Sequence, residues 1–258
     1  MSSLRPWWAL VLFTALTLPL MPLQQLFVWF WPRMARVFPM HYHRLVCRIL
    51  GIRVEVIGKA PEQGPLLIAC NHVSWLDIVV LSAVGPVSFV AKKEVSRWPF
   101  FGTLARLQRT IFVDRERRHA TGGSRDEMRE RLTAGDIIVL FAEGTSGDGR
   151  SVLPFKSSFF GAAEMPGVLV QPVSLAYRGH QNLPMNRRIL PLYAWYGDMD
   201  LAPHLLGALR AGPIEVAVVC HPPLSLSGEL NRKALARHAQ EQVRQGLVLA
   251  LHDPGKIR

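Results

Sequence analysis

No charged residue falls between Arg5 and Arg33. So long a chargeless run excludes an ordinary solvated surface helix. As one helix it would exceed the ~20 residues needed to cross a bilayer. Pro19 and Pro22 interrupt it, leaving two geometries open: a kinked span, or two short helices dipping into one leaflet. Trp7, Trp8, Trp29 and Trp31 stand at its ends, where amphipathic rings favour the headgroup layer in either geometry. A cleaved signal peptide fits poorly, because one basic residue precedes the run and the apolar stretch continues past any cleavage point of that kind.

Cysteine is scarce too. Cys47, Cys70 and Cys220 are odd in number and widely spaced, which excludes a disulfide framework or a zinc spacing and suits reduced, buried thiols. His41 and His43 lie two apart, and His72 has no second ligand at metal spacing, so no metal is expected. Acidic residues are outnumbered, 19 against 30 basic ones, giving a net charge of +11 and implying an anionic partner. Arg33, Arg36, Arg44 and Arg48 follow directly on the apolar segment, which points to an anionic membrane and to a cytoplasmic main domain. No nucleic-acid-binding signature is present.

What is there alternates. Short apolar runs at 53–57, 65–70, 87–91, 110–113, 137–141, 168–175 and 214–220 read as strands, several covered on both faces. Segments 36–50, 75–83, 98–107, 116–132 and 231–251 read as helices. That pattern predicts an α/β fold with a mainly parallel sheet flanked by helices. A membrane-associated helical segment, 1–35, precedes the main domain, 36–258.

Three strand exits carry the chemistry. After the 65–70 strand comes Asn71-His72-Val73-Ser74-Trp75-Leu76-Asp77. His72 and Asp77, five apart, can meet only if His72 precedes the helix and its ring folds back. Asp77 would then fix the tautomer and leave the other nitrogen free as a base. Ser74 is placed to cap the helix, and a Ser74/Asp77 capping box with His72 a mere loop residue fits the motif alone equally well. Phe141-Ala142-Glu143-Gly144-Thr145-Ser146 delivers a carboxylate, backbone amides and a hydroxyl, parts for an acceptor or oxyanion site or for an ordinary polar turn. Arg109-Thr110-Ile111-Phe112-Val113-Asp114-Arg115 is a strand flanked by arginines.

Their order resembles the glycerolipid acyltransferase family, which includes the lysophosphatidate acyltransferases. The resemblance runs from about residue 65 to 176. It includes Val90-Ala91-Lys92-Lys93-Glu94 with Trp98-Pro99-Phe100-Phe101-Gly102, and closes on Gln171-Pro172-Val173-Ser174-Leu175. It implies an α/β sheet flanked by helices, behind a two-helix membrane motif in some bacterial members. His72 would be the general base and Asp77 its orienting partner. Lys92 and Arg115 would lie in the positively charged acceptor region, with Glu143, Gly144 and Thr145 helping to bind the acceptor. The donor would be acyl carrier protein or acyl-CoA, the acceptor a lyso-lipid hydroxyl, and no cofactor is implied. No acyl-enzyme is required, since no cysteine sits in these blocks and no Gly-x-Ser-x-Gly elbow occurs.

The third block departs from the Phe-Pro-Glu-Gly-Thr-Arg-Ser common in lysophosphatidate acyltransferases. Ala142 stands at the proline position and Ser146 at that of the arginine near the acceptor's phosphate. The longer run through Gly147-Asp148-Gly149-Arg150 and Leu153-Pro154-Phe155-Lys156-Ser157 is similar to the lyso-ornithine lipid acyltransferases. So are Ala194-Trp195-Tyr196-Gly197-Asp198-Met199 and His221-Pro222-Pro223-Leu224. There the acceptor is the hydroxyl of a 3-hydroxyacyl chain on ornithine, which carries no phosphate. A 1-acyl-sn-glycerol-3-phosphate acyltransferase is the alternative. Catalysis at the cytoplasmic face of the inner membrane is the expectation. A lipid-binding protein that does no chemistry and a thioesterase are the other classes.

Overall fold

The computed structural model describes residues 4–114, 121–226 and 231–252. The chain opens with two helices, α1 (Arg5–Phe30) and α2 (Pro32–Leu50). α1 is helical through Pro19 and Pro22, so the break expected there falls at Trp31 instead. Thr17 Oγ1 bonds the Phe13 carbonyl one turn back. α2 ends at Gly51, whose φ of 74° puts it in the left-handed region.

The rest builds one sheet. Its elements follow as β1 (Ile52–Gly58), β2 (Leu66–Cys70), α3 (Leu76–Val84), β3 (Val87–Lys92), α4 (Phe101–Leu107), β4 (Ile111–Val113), α5 (Thr121–Thr133), β5 (Ile137–Phe141) and β6 (Leu169–His180). Then come β7 (Leu183–Pro184), α6 (Leu201–Ala211), β8 (Ile214–Cys220), β9 (Leu224–Ser225) and α7 (Arg232–His252). The strand order is β1-β8-β6-β2-β5-β3-β4, with β7 and β9 also paired to β6. β2, β3, β4, β5 and β6 run parallel through their pairings, while β8 lies antiparallel to β6 and parallel to β1. The sheet is thus mainly parallel, with one reversal along that order and the short β7 and β9 antiparallel to β6.

All five residues of β2 are buried, as both faces are covered. Ile68, Val80, Val139 and Tyr177 pack on one face, Leu67, Ile138, Phe160 and Val243 on the other. The helix expected over 98–107 begins only at Phe101, after a 3-10 turn, Lys93–Arg97. The 168–175 strand extends to His180, because its second half pairs with β8. α6 has no counterpart in the sequence reading. The start of the helix expected over 116–132 lies outside the described residues.

Candidate active site

β2, β5 and β3 all point their C-terminal ends at one place, the position where parallel α/β sheets present ligands. Cys70, the last residue of β2, pairs with Phe141 of β5 and with Val173 of β6. The chain leaving β2 is pinned at once. Asn71 is buried and takes over the ladder with its side chain, donating to the Leu175 carbonyl (3.0 Å) and accepting from the Leu175 N–H (2.8 Å).

His72 therefore sits ahead of α3, and its ring does fold back: Nδ1 lies 2.8 Å from Asp77 Oδ2. Asp77 is fully buried and accepts from four donors. Oδ2 also takes the N–H groups of Val73 (2.7 Å) and Ser74 (3.0 Å), and Oδ1 takes the Tyr177 hydroxyl (2.6 Å). A carboxylate used only as an acceptor requires the hydrogen on Nδ1 of His72, which leaves a lone pair on Nε2. Burial and the nearby Asp77 charge push the Tyr177 phenol well above its ordinary range, so it stays a donor. Ser74 does not cap α3 as expected. The helix has no side-chain cap, and Asp77 in its first turn instead reaches back to the N–H groups of Val73 and of Ser74 itself.

β5 supplies the second wall. The ring of Phe141 stacks on the His72 imidazole, with centroids 3.8 Å apart and planes 17° apart. Two residues on, Glu143 turns inward. Its Oε2 accepts the His72 N–H (2.9 Å) and its Oε1 the Leu153 N–H (2.8 Å), at 3% exposure. Burial raises this carboxyl to about 7, with the two amides pulling the other way. Glu143 thus braces the backbone of His72 rather than opening toward the cleft. Gly144, at φ 75°, begins a turn that wraps back over the His72 segment. Gly147 donates to the His72 carbonyl (2.8 Å), and Trp195 to that of Val73 (2.9 Å).

Lys92 is exposed at the end of β3, and Thr145 is exposed in the turn. Arg115 lies outside the described residues. Of the backbone amides near the start of α3 and near Gly144, those of Val73 and Ser74 serve Asp77 and that of Gly144 serves the Phe141 carbonyl. All three cysteines are free and buried, as expected. Among the described residues no cluster of ligands could hold a metal.

Sequence reasoning missed Tyr177, Asn71 and the stacking role of Phe141. Phe141 and Asn71 adjoin the motifs, so their position was a signal. Nothing local marks Tyr177, which lies 100 residues from Asp77.

Beside this cleft lies an apolar cavity of about 670 Å³ between α1, α2, α4 and α6, with Trp75, Ile78, Phe89 and Trp98 among its lining. Phe89 in turn stacks on Phe141. The outer face of the hairpin exposes Trp7, Trp8, Leu12, Trp29, Phe30 and Trp31. α1 is long and apolar enough to cross a membrane.

Comparison with known proteins places these features. Residues 51–176 match the family model described as Acyltransferase. The chain is 47% identical over 257 residues to the lyso-ornithine lipid O-acyltransferase of Brucella abortus, covering 97% of this chain and 96% of that one. It is 44% identical to the enzyme of the same name from Rhizobium meliloti (92% and 84%). It is 34% identical to the 1-acyl-sn-glycerol-3-phosphate acyltransferase of Neisseria meningitidis serogroup B (78% and 77%). The crystal structure of the 1-acyl-sn-glycerophosphate acyltransferase of Thermotoga maritima superposes with a TM-score of 0.60 at 24% identity, over 82% of this chain and 78% of that one, a likeness of fold.

Proposed function

Because the chain belongs to the acyltransferase family, we propose that it moves an acyl chain from a thioester donor, acyl carrier protein or coenzyme A, to the hydroxyl of lyso-ornithine lipid. The observation that carries the chemistry is the His72–Asp77 contact of 2.8 Å, which leaves Nε2 as the free base of an imidazole that Asp77 orients and the Phe141 ring stacks upon. Nε2 takes the proton of the acceptor hydroxyl as its oxygen attacks the thioester carbonyl. The amides of Thr145 and Ser146 donate to no group among the described residues, and they are the donors we assign to the oxyanion. Collapse breaks the carbon–sulfur bond, and the departing thiolate takes the proton back from the imidazolium. Lys92 and Arg115 contribute positive charge on the acceptor side. No metal or cofactor enters the scheme.

The ornithine acceptor is supported by the names of the relatives that match nearly the whole chain and by Ser146 in place of an arginine. A 1-acyl-sn-glycerol-3-phosphate acceptor is the second reading, favoured by the more distant Neisseria relative. The apolar cavity suits one acyl chain, since it opens between the hairpin and Phe89, which stacks on Phe141.

The protein associates with membranes through the segment 1–35, and we place it on the cytoplasmic face of the inner membrane. Of the two geometries, one leaflet fits better. Arg5, at the start of α1, donates to the carbonyls of Leu209 and Leu50, while Gln24, near its end, donates to those of Ala35 and Leu107. Those bonds tie α1 to α6 and α4 over ~28 Å at 1.5 Å per residue. A helix bound along its length to the main domain lies beside it, so its tryptophan-rich outer face dips into lipid as an interfacial helix does.

The test is kcat/KM of the purified enzyme on lyso-ornithine lipid and on lysophosphatidate with one acyl donor. Preference for the first is expected, and preference for the second rules the ornithine acceptor out.

A further inference from the structure

We infer that Lys156 holds the carboxylate of the acceptor headgroup, in the role that an arginine at position 146 would play toward a phosphate. The inference rests on the ornithine reading above. Lys156 is fixed by its backbone, donating its N–H to the Ala142 carbonyl (2.9 Å) at the exit of β5. Its side chain then doubles back across Gly144. A Cβ on that glycine would lie 2.7 Å from the lysine Nζ and 3.1 Å from its Cδ and Cε. Gly144, with φ at 75°, thus gives both the turn and the groove in which the stem lies. The residue before it is Glu143, whose carboxylate grips the His72 N–H. A cation is thereby held one residue from the brace of the proposed base.

Three features separate this lysine from an ordinary solvated one. Its stem is laid against backbone instead of sweeping solvent. Lys156 is exposed, and it forms no ion pair among the described residues, whereas nearby Arg150 is paired with Asp148 at 3.8 Å. The carboxylate of Glu143, the residue before Gly144, is spent on two backbone amides. The acceptor's covalent geometry supplies the rest. In lysophosphatidate the phosphorus is four bonds from the reacting hydroxyl oxygen. In lyso-ornithine lipid the carboxyl carbon is six bonds away, so its cation belongs farther from the base than one suited to the phosphate. Ser146 stands at the arginine position, and Lys156 offers an ammonium beside Gly144 of the same turn.

The experiment uses two acceptors: lyso-ornithine lipid, and the same 3-hydroxyacyl amide built on putrescine, which lacks only the carboxylate. Full-length wild type, Lys156→Met and Lys156→Arg are compared in one lipid mixture. Wild type should lose about ten- to a hundredfold in kcat/KM, chiefly through KM, when the carboxylate is removed, the range of one charge-assisted contact. Lys156→Met should lose the same factor on lyso-ornithine lipid and be indifferent to the carboxylate, and Lys156→Arg should recover most of the discrimination. Lys156→Met discriminating as wild type does, or losing kcat equally on both acceptors, overturns the inference and leaves the ornithine reading intact. A wild-type enzyme inactive on lyso-ornithine lipid overturns both.

Discussion

β5 carries a buried carboxylate just beyond each of its ends, and the two are satisfied in opposite ways. Asp136, before its first residue, is 2% exposed and meets three guanidinium groups: Arg36 Nε at 2.7 Å, Arg109 Nη2 at 2.9 Å, and Arg131 Nε. Glu143, after its last residue, is 3% exposed and meets two backbone amides. One end spends three positive charges, including one from the membrane hairpin, to fix α2 against the sheet. The other spends no side-chain charge, so the cations near the cleft remain available to an anionic substrate. The difference assigns assembly to the first end and chemistry to the second.

The comparison can be broken hardest at the cleft. His72→Ala should reduce transfer by about 10²–10⁴, because it removes the proposed general base, while leaving the protein folded and membrane-bound despite the lost stack on Phe141 and bond to Asp77. Asp77→Asn should be nearly as inactive, and less stable besides, because an amide NH₂ would face one of the donors that Asp77 now satisfies. Steady-state rates alongside thermal unfolding in detergent separate the two. His72→Ala retaining a tenth of wild-type turnover would falsify the base assignment.

At the opposite end the expected signature reverses. Asp136→Ala leaves three guanidinium groups converging on an apolar gap, and loss of one partner from such a buried cluster costs about 3–5 kcal/mol. The unfolding temperature should fall steeply and protease should reach α2, yet the folded fraction should keep a kcat near that of wild type. A kcat loss without loss of stability would mean that the two ends of β5 do not divide the work as argued.

How much of this was legible in the sequence follows the range of the interactions. Continuous apolar runs announced β2, β5 and β8, because a strand covered on both faces has no polar alternation to hide it. The His72–Asp77 contact was legible because it closes within one loop and one helical turn. α6 was not, since Pro203 and Gly207 interrupt its pattern and its apolar face is set by packing beside α1. The inward turn of Glu143 was not legible either. A carboxylate at a strand exit reads as a ligand, and only the path of the chain shows that the amides of His72 and Leu153 claim it first. Arg36 and Asp136, 100 residues apart in sequence, meet through the fold alone.

The smallest expected effect sharpens the comparison most, because it titrates the end of β5 that backbone amides hold. Burial, the largest influence on Glu143, raises it from 4.5 to about 7. Between those values the folded protein holds a proton that the unfolded chain has released. The stability linked to this group is therefore complete below the unfolded value and is lost as pH rises through about 7. The side-chain amide of the Glu143→Gln variant has no such proton to release. The margin of wild type over this variant should be widest near pH 4.5, narrow toward pH 7 by about 3 kcal/mol at most, and stay level above it. Urea unfolding of wild type and Glu143→Gln from pH 5 to 8, in one detergent and at one ionic strength, reads the margin directly. A margin flat across that range would mean that the amides of His72 and Leu153 outweigh burial and that Glu143 is ionised in both states.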